Sequence, residues 1–301
     1  MEKVFAVVVT YNGLQWLDRC LGSLLSSDMP VTVVVVDNAS TDGTPEHILA
    51  DYPDVRLIRS NVNHGFAKAN NIGIRYALDN RADYVFLLNQ DAWTVEEHTI
   101  RSLIGTFERN ASVGIVSPIH MNGQNDSLDW KFATYMSGDF VSDAYLGRIK
   151  EEYLTDYVNA AAWLVSRECF EKIGGFDTNL FVHYGEDSAY LQRVKYWKRT
   201  VWVNTKVHVC HDREFRKQND DAYQQSVFKR DQELHDMKKK YGDINYNIDI
   251  DAKIRANRYR IFKKTIKLQF AEVRRLRQVD DVLLKIKFSR EINKDGHMAW
   301  L

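Results

Sequence analysis

The sequence predicts an α/β fold with a mostly parallel central sheet and helices on both of its faces. Over the first 120 residues, short apolar runs rich in β-branched residues alternate with segments of helical periodicity. Such alternation is typical of a parallel sheet that is covered on both sides. Several of the apolar runs end in polar residues, and ligands of α/β proteins bind just beyond the carboxyl ends of such strands.

Five apolar runs are predicted to be strands, because each is too short for a helix. They span residues 4–9, 32–36, 55–58, 84–88 and 113–116, and a sixth strand is predicted at 201–203. The apolar spacing predicts helices over residues 16–25, 65–78 and 185–198. Thr44 is the predicted N-cap of a short helix with Pro45 in its first position. Thr94 and Glu97 have the spacing of a capping box, which predicts a helix start there.

The composition is that of a soluble globular protein, with 301 residues, 45% hydrophobic and 27% charged, and a formal net charge of zero. No apolar stretch reaches the roughly 18–20 residues that span a bilayer, and the start of the chain lacks the pattern of a signal peptide. Cys20, Cys169 and Cys210 are far apart and form no CxxC motif, which argues against a disulfide framework or a zinc site. We therefore expect a reduced, cytoplasmic protein.

The composition changes after His211, and we predict a catalytic unit over residues 1–212 and a helical region over 213–301, with the boundary near 212–220. From 253 to 290 there are 13 Lys and Arg against 3 acidic residues, a net charge of +10. An apolar stripe runs along this basic segment through Tyr259, Phe262, Ile266, Phe270, Val273 and Leu276. The stripe fits packing on the catalytic unit, a second subunit, or peripheral contact with a membrane surface; no nucleic-acid-binding module is present.

Four polar clusters lie at or just after the ends of predicted strands: Thr10-Tyr11-Asn12, Asp37-Asn38, the stretch from Asn61 to Asn71, and Asn89-Gln90-Asp91. In a parallel sheet these ends share one edge, so the clusters are expected to converge on one ligand. Gly65, Lys68 and Asn70 lie around a predicted helix start, where exposed amides suit a phosphate. Ser40 and Asp42 are interpreted as turn and cap residues instead.

Several short motifs in a fixed order resemble the family 2 glycosyltransferases of the GT-A fold. These are Val-Val-Thr-Tyr-Asn (8–12), Val-Asp-Asn-Ala-Ser-Thr-Asp (36–42), Asn-His-Gly-Phe-Ala-Lys-Ala-Asn-Asn-Ile-Gly (63–73), Leu-Leu-Asn-Gln-Asp (87–91), Val-Asn-Ala-Ala-Ala-Trp-Leu-Val-Ser-Arg (158–167), Gly-Gly-Phe-Asp (174–177) and Gly-Glu-Asp (185–187). The resemblance covers about residues 3–211 and is greatest to the bacterial rhamnosyltransferase-like branch, which builds surface polysaccharides. It implies a nucleotide-binding half over 1–120 and an acceptor half over 121–212.

The resemblance implies roles for individual residues of the donor site. Asp37 would accept a hydrogen bond from a pyrimidine N–H, and Asp91 would bind a divalent cation, Mn²⁺ or Mg²⁺, with His211 favoured over His208 as its second ligand. Asn89 replaces the first acidic residue of the family's DXD motif, which weakens it as a metal ligand. The other residues assigned to the donor are Thr10, Tyr11, Asn12, Asn63, Gly65, Lys68, Asn70 and Gln90.

Asp187 occupies the position of the family's catalytic base, which would take the proton of an acceptor hydroxyl. An acidic residue at a helix start also favours the helix dipole, so both roles are compatible. The aromatic-rich segment 130–163 is the predicted acceptor cleft, with Asn159, Trp163 and Glu186 as its candidate residues.

Together these features predict an inverting glycosyltransferase that uses a dTDP- or UDP-sugar, with dTDP-rhamnose as one candidate, and a saccharide or lipid-linked acceptor. An enzyme acting at the inner face of a membrane would fit such an acceptor. A dinucleotide-dependent oxidoreductase is not favoured, because the first predicted strand lacks the Gly-x-Gly-x-x-Gly motif. A non-catalytic protein that binds nucleotide sugars or glycans remains the alternative.

Overall fold

The computed structural model describes residues 2–182, 184–213 and 232–301. The strands are β1 (Val4–Thr10), β2 (Val31–Asn38), β3 (Arg56–Ser60), β4 (Tyr84–Asn89), β5 (Ala92–Thr94), β6 (Val113–Met121), β7 (Glu152–Thr155), β8 (Ala162–Ser166) and β9 (Thr200–His211). The helices are α1 (Leu14–Leu25), α2 (Thr44–Asp51), α3 (Gly65–Asp79), α4 (Thr99–Arg109), α5 (Trp130–Tyr135), α6 (Gly138–Tyr145), α7 (Arg167–Ile173), α8 (Glu186–Tyr196), α9 (Gln232–Gly242), α10 (Ile250–Ile266) and α11 (Phe270–Asp295).

The strands form one sheet in the order β3-β2-β1-β4-β8-β6-β9-β5, and β7 pairs with β9. The half built from β3, β2, β1 and β4 is entirely parallel, and β6 is parallel to β9. Strand β8 runs antiparallel to both β4 and β6, and β5 and β7 run antiparallel to β9. The predicted α/β class is confirmed, and the antiparallel strands are the part that the sequence pattern did not reveal.

Each face of the sheet carries its own hydrophobic core, which explains why the central strands are apolar without interruption. In β1, Phe5 and Val7 pack into one core, while Val4, Ala6 and Val8 pack into the other. Successive side chains of a strand point to opposite faces, so a strand covered on both sides needs apolar residues at every position.

Two predicted helix starts are misplaced. Thr94 does not cap a helix, because it belongs to β5, where its backbone N–H donates to the Ser23 hydroxyl at 3.1 Å. Helix α4 begins instead at Thr99, whose hydroxyl donates to the Glu96 carbonyl at 2.6 Å. The N-cap of α2 is Gly43 rather than Thr44, and its φ of 90° is a left-handed conformation that suits glycine.

Helices α10 and α11 form an antiparallel hairpin that packs against the catalytic unit. Ile254, Leu283 and Ile286 share a hydrophobic cluster with Leu180 and Phe181, which lie just before α8. Of the six residues of the sequence-predicted stripe, Val273 and Leu276 are buried and the other four are exposed. The predicted boundary near 212–220 falls largely on residues 214–231, outside the described ranges. No helix among the described residues is both long and apolar enough to cross a lipid bilayer.

The last residues of the chain are bound to the catalytic unit. The Asn71 amide donates to the carbonyls of Phe176 and Trp300, both at 2.9 Å. The Gly175 N–H donates to the Ala299 carbonyl at 2.7 Å. A side chain at Gly174 would place its Cβ only 1.9 Å from that carbonyl oxygen, so this close approach requires glycine.

Candidate active site

The predicted polar clusters converge at the carboxyl edge of the parallel half of the sheet. Thr10 and Asp37 are register partners on β1 and β2, and Val9 of β1 is the partner of Asn89 on β4. The Thr10 hydroxyl donates to Asp37 Oδ1 at 2.9 Å. These strand ends therefore lie together at one edge of the sheet, and their convergence on one ligand stays a prediction.

Asp37 is only 1% exposed, and its carboxylate is held in a fixed orientation. Its Oδ2 accepts the Ser40 N–H at 3.1 Å, in addition to the Thr10 hydroxyl on Oδ1. A carboxylate offers about four lone-pair sites, so the group retains acceptor capacity for a further donor. Asn12 lies beside it with a φ of 48°, and its Oδ1 accepts the Thr41 N–H at 2.8 Å.

The stretch at the start of α3 is organised mainly by its own side chains. Asn38 Oδ1 accepts the His64 N–H at 2.7 Å, and Asn63 Oδ1 accepts the Gly65 N–H at 2.9 Å. These two amides, expected from sequence to be exposed for a phosphate, already have acceptors. The Asn63 side chain thus stabilises the start of α3. The prediction that exposed amides at this helix start bind a phosphate is corrected for these two amides.

Lys68 and Asn70 lie on different sides of α3. Lys68 is exposed, whereas Asn70 is buried and its amide donates to the Phe66 carbonyl at 3.0 Å. Lys68 is therefore free to approach a ligand, while Asn70 stabilises its own helix.

Gln90 fixes the loop that follows β1. Its Oε1 accepts the Tyr11 N–H at 2.8 Å, and its Nε2 donates to the Tyr11 carbonyl at 3.2 Å. A Cβ at Gly13 would lie 2.2 Å from Gln90 Oε1, so a side chain there would displace the Gln90 amide from this contact. Gln90 therefore positions Tyr11 instead of reaching a ligand itself, a correction of its predicted role. Asn89 is half-buried, and its side chain forms no hydrogen bond with any residue that the structure describes.

Asp91 and His211 are brought together by the pairing of β5 with β9. Ala92 is the register partner of His211, and the Asp212 N–H donates to the Asp91 carbonyl at 2.9 Å. His211 Nε2 lies 3.6 Å from Asp91 Oδ1, and both side chains are almost fully buried. His208 instead faces Glu96, with Nδ1 at 2.7 Å from Oε1, and this hydrogen bond raises the pKa of His208. The geometry agrees with the preference for His211 over His208.

Asp129 and Arg213 complete this polar cluster, and neither residue was predicted from the sequence. Asp129 is the N-cap of α5 and lies with Oδ2 3.6 Å from His211 Nδ1. Arg213 Nε lies 2.6 Å from the same Asp129 oxygen and donates to His211 Nδ1 at 3.2 Å. A metal ion on Nε2 would require Nδ1 to carry the ring proton and donate it to Asp129, in place of the contact from Arg213.

The donor set of Asp91 and His211 fits a divalent cation. A carboxylate oxygen and an imidazole nitrogen are ligands that Mn²⁺ accepts. Two neighbouring ligands at about 2.1 Å from one ion lie roughly 3 Å apart, close to the observed separation. No three or more His, Cys, Asp or Glu side chains among the described residues form a set that could hold a metal. Asp91 and His211 would therefore supply two of the ligands of such an ion.

Asp187 lies in the first turn of α8, and this helix begins directly after Gly185. The φ of Gly185 is 102°, a left-handed conformation that requires glycine. The Tyr157 hydroxyl donates to Asp187 Oδ2 at 2.7 Å, and the Ser188 N–H donates to Oδ1 at 2.6 Å. Burial and the Asp187 charge together raise the pKa of Tyr157, so it remains a donor. Tyr157 belongs to the aromatic-rich segment noted in the sequence, but its contact with Asp187 was not predicted.

The neighbouring Glu186 differs sharply from Asp187. It is only 9% exposed, and its Oε2 has no hydrogen-bond partner among the described residues. Burial, followed by the charge of Asp187, raises the pKa of Glu186 to about 8. Glu186 therefore carries its proton at neutral pH and cannot act as a base there, while its predicted acceptor role stays a prediction.

Trp163 does not line an open cleft, and its predicted acceptor role is wrong. It lies on β8 with 0% exposure, and its ring stacks on Phe176 and tilts against Tyr190, with centroids 6.1 and 5.9 Å away. Its ring faces are occupied by core residues and cannot pack on a sugar. Asn159 is also buried, but its Oδ1 has no partner among the described residues, so its acceptor role stays a prediction.

Comparison with known proteins identifies the family of the chain and several relatives. The family described as "Glycosyl transferase family 2" matches residues 5–174. The chain is 29% identical over 196 residues to the dTDP-rhamnosyl transferase RfbF of Shigella flexneri, covering 65% of this chain and 64% of that protein. It is 30% identical over 214 residues to an N-acetylglucosaminyl-diphospho-decaprenol L-rhamnosyltransferase of Mycobacterium tuberculosis, covering 62% and 69%. The chain thus spans about two thirds of these relatives.

Solved structures show the same fold. The mannosyltransferase PcManGT from Pyrobaculum calidifontis, in complex with GDP-Man and Mn²⁺, matches with a TM-score of 0.59 at 18% identity, over 97% of this chain and 87% of its own. GalNAc-T7 with UDP, GalNAc and Mn²⁺ matches with a TM-score of 0.55 at 15% identity, over 70% and 44%. These likenesses confirm the predicted GT-A fold.

Proposed function

Because the chain belongs to glycosyl transferase family 2, we propose that it is an inverting glycosyltransferase acting on a nucleotide diphosphate sugar. The observation that carries this proposal is the placement of Asp187 at the start of α8, with Tyr157 holding one of its oxygens at 2.7 Å. A base has to be held rigidly to take a proton as a new bond forms.

The donor is proposed to lie along the carboxyl edge of the sheet. Asp37, fixed by Thr10, would accept from the N–H of a pyrimidine base, while Tyr11 and Asn12 flank the nucleoside. The half-buried Asn89 side chain, which has no other partner among the described residues, is available to a ribose hydroxyl. A pyrimidine leaves dTDP and UDP as donors, and the likeness to RfbF favours dTDP-rhamnose.

Asp91 and His211 would hold a divalent cation at the diphosphate. When bound, such a cation neutralises the charge that develops on the departing diphosphate. With the ring proton on Nδ1 and donated to Asp129, that carboxylate would keep the His211 ring oriented for this role. Arg213 contributes a positive charge to the same cluster.

In the proposed reaction, the oxygen of an acceptor hydroxyl attacks the anomeric carbon of the sugar. The bond from that carbon to the diphosphate oxygen breaks on the opposite face, so the configuration inverts. Asp187 takes the hydroxyl proton, and Tyr157 keeps the carboxylate aimed at it. The acceptor is proposed to be a saccharide attached to a lipid carrier, in keeping with the acceptor named for the Mycobacterium tuberculosis relative.

The test is turnover of a donor panel by the full chain. Purified protein with Mn²⁺ would be offered dTDP-rhamnose, other dTDP-sugars and UDP-sugars, each with a GlcNAc-diphospho-lipid acceptor, and release of dTDP or UDP would be measured. We expect release with a dTDP-sugar, and none from the Asp187→Asn variant. Thermal stabilisation by a donor without any release, across the whole panel, would favour the non-catalytic sugar-binding alternative.

A further inference from the structure

The free end of the α10–α11 hairpin carries an exposed apolar cluster, here called the hairpin tip. Its five side chains are all more than half exposed: Tyr259 57%, Phe262 61%, Ile266 65%, Leu268 71% and Phe270 65%. They lie within twelve residues on both sides of the turn between the helices. Large apolar side chains that are exposed together, and not scattered singly over the surface, mark an interaction site.

The tip is exposed although the hairpin itself is well packed. Ile254 and Asn257 of α10 are buried, and the Asn257 amide donates to the Leu276 carbonyl of α11 at 2.8 Å. Arg258 pairs with Asp280 at 3.1 Å across the same two helices. The face of α10 that carries Ile254 and Asn257 therefore packs inside the protein, and the tip residues of α10 lie on a different face.

The surroundings of the tip are strongly basic. Residues 253–277 contain ten Lys and Arg and one Glu, a net charge of +9. Six of these cations are exposed and form no ion pair with any residue in the described ranges: Lys253, Arg260, Lys263, Lys267, Arg274 and Arg277. Lys263 instead lies over the Tyr259 ring, with Nζ 4.4 Å from its centroid.

We propose that the hairpin tip docks on an anionic membrane surface, with its apolar side chains entering the interface and its cations contacting lipid headgroups. Apolar residues within a ring of Lys and Arg are suited to such a surface. A second copy of the chain is a poorer occupant, because two tips of the same high positive charge would repel each other.

Docking at the tip would also orient the candidate active site. The other half of α11 binds the loop before α8, where the Asn179 amide donates to the Lys285 carbonyl at 3.0 Å and to the Ser289 hydroxyl at 2.8 Å. Twelve residues of helix, about 18 Å, separate Phe270 from the packed Val282. The helix therefore links the membrane contact rigidly to the element that carries Asp187.

Vesicle sedimentation with the full chain tests the proposal. We expect at least about tenfold tighter binding to phosphatidylcholine vesicles containing about one third phosphatidylglycerol than to pure phosphatidylcholine, with a loss at high salt. The double variant Phe262→Ser with Phe270→Ser should lose about tenfold or more. Leu268→Ser should weaken binding, whereas Leu49→Ser, the same change at a 61% exposed site on α2, should not.

The remaining results decide against the proposal. Equal binding to both vesicle types, or full binding by the double variant, would overturn it. So would a wild-type dimer in lipid-free solution that the double variant abolishes, because the tip would then be an interface between copies. Circular dichroism and release of nucleoside diphosphate with a water-soluble acceptor show whether the variants are folded.

Discussion

Replacement of Glu186 by Gln tests whether the buried Glu186 carboxyl group, at the start of α8, keeps its proton at neutral pH. The pKa of Glu186 is raised from 4.5 to about 8, first by burial and then by the charge of Asp187. Between these two pH values the folded protein keeps a proton that the unfolded chain has released. The free energy of unfolding therefore falls as pH rises through this window and levels off above it.

The size of the effect follows from the difference between the two pKa values. It corresponds to about 5 kcal/mol between protonated and ionised Glu186, at about 1.4 kcal/mol for each pH unit. Gln carries no proton to lose and has nearly the same shape. We therefore expect the stability gap between Glu186→Gln and wild type to widen from about pH 5 to about pH 8, in favour of the variant, by up to this amount.

Urea unfolding followed by tryptophan fluorescence, repeated across that pH range, measures the gap. Glu108→Gln is the matched control, because Glu108 is exposed on α4 and the chemical change is identical. A gap that does not vary with pH would refute the assignment of a protonated Glu186. At neutral pH the Glu186→Gln variant should also keep transfer within about threefold of wild type, since the amide replaces an already neutral acid.

Three further changes address the proposed site. Asp187→Asn should lower kcat by about 10²–10⁴-fold while donor affinity, measured calorimetrically, stays within about threefold; lost donor affinity would make Asp187 a structural residue. Tyr157→Phe removes a hydrogen bond to a charged acceptor, about 1.5–3 kcal/mol, and should lower kcat by about 10- to 150-fold with KM unchanged, whereas an unchanged kcat would exclude a positioning role. Asp91→Ala should weaken Mn²⁺ binding, read by electron paramagnetic resonance, by about tenfold or more; unaltered binding would remove Asp91 from the metal site.

Local pattern was enough to predict the residues that belong to strand ends. Thr10, Asp37 and Asp91 each follow an apolar run, and the sheet then brings them to one edge because parallel strands share their direction. His211 was implied by the family resemblance instead, because the strand predicted at 201–203 ended well before it, whereas β9 extends to His211 in the structure.

Residues that act across long separations in sequence left no such pattern. Tyr157 and Asp187 are 30 positions apart, and Asp129 reaches His211 only because α5 lies beside the end of β9. Trp163 was misjudged because an aromatic residue near polar neighbours suggests a sugar platform, while β8, inserted between β4 and β6, is buried on both faces. Thr94 was misjudged because its pairing partner on β9 lies more than a hundred residues away.

The attachment of the chain's last residues has a practical consequence for work on the isolated catalytic unit. A protein shortened to residues 1–212 would lose the carbonyls that accept from Asn71 and Gly175, and would uncover the core surface now covered by Met298 and Leu301. The Asn71 amide would keep only Phe176 as its acceptor. Poor solubility or low turnover of such a fragment would then reflect the core surface uncovered beside Phe176. It would not measure the intrinsic activity of the glycosyltransferase fold.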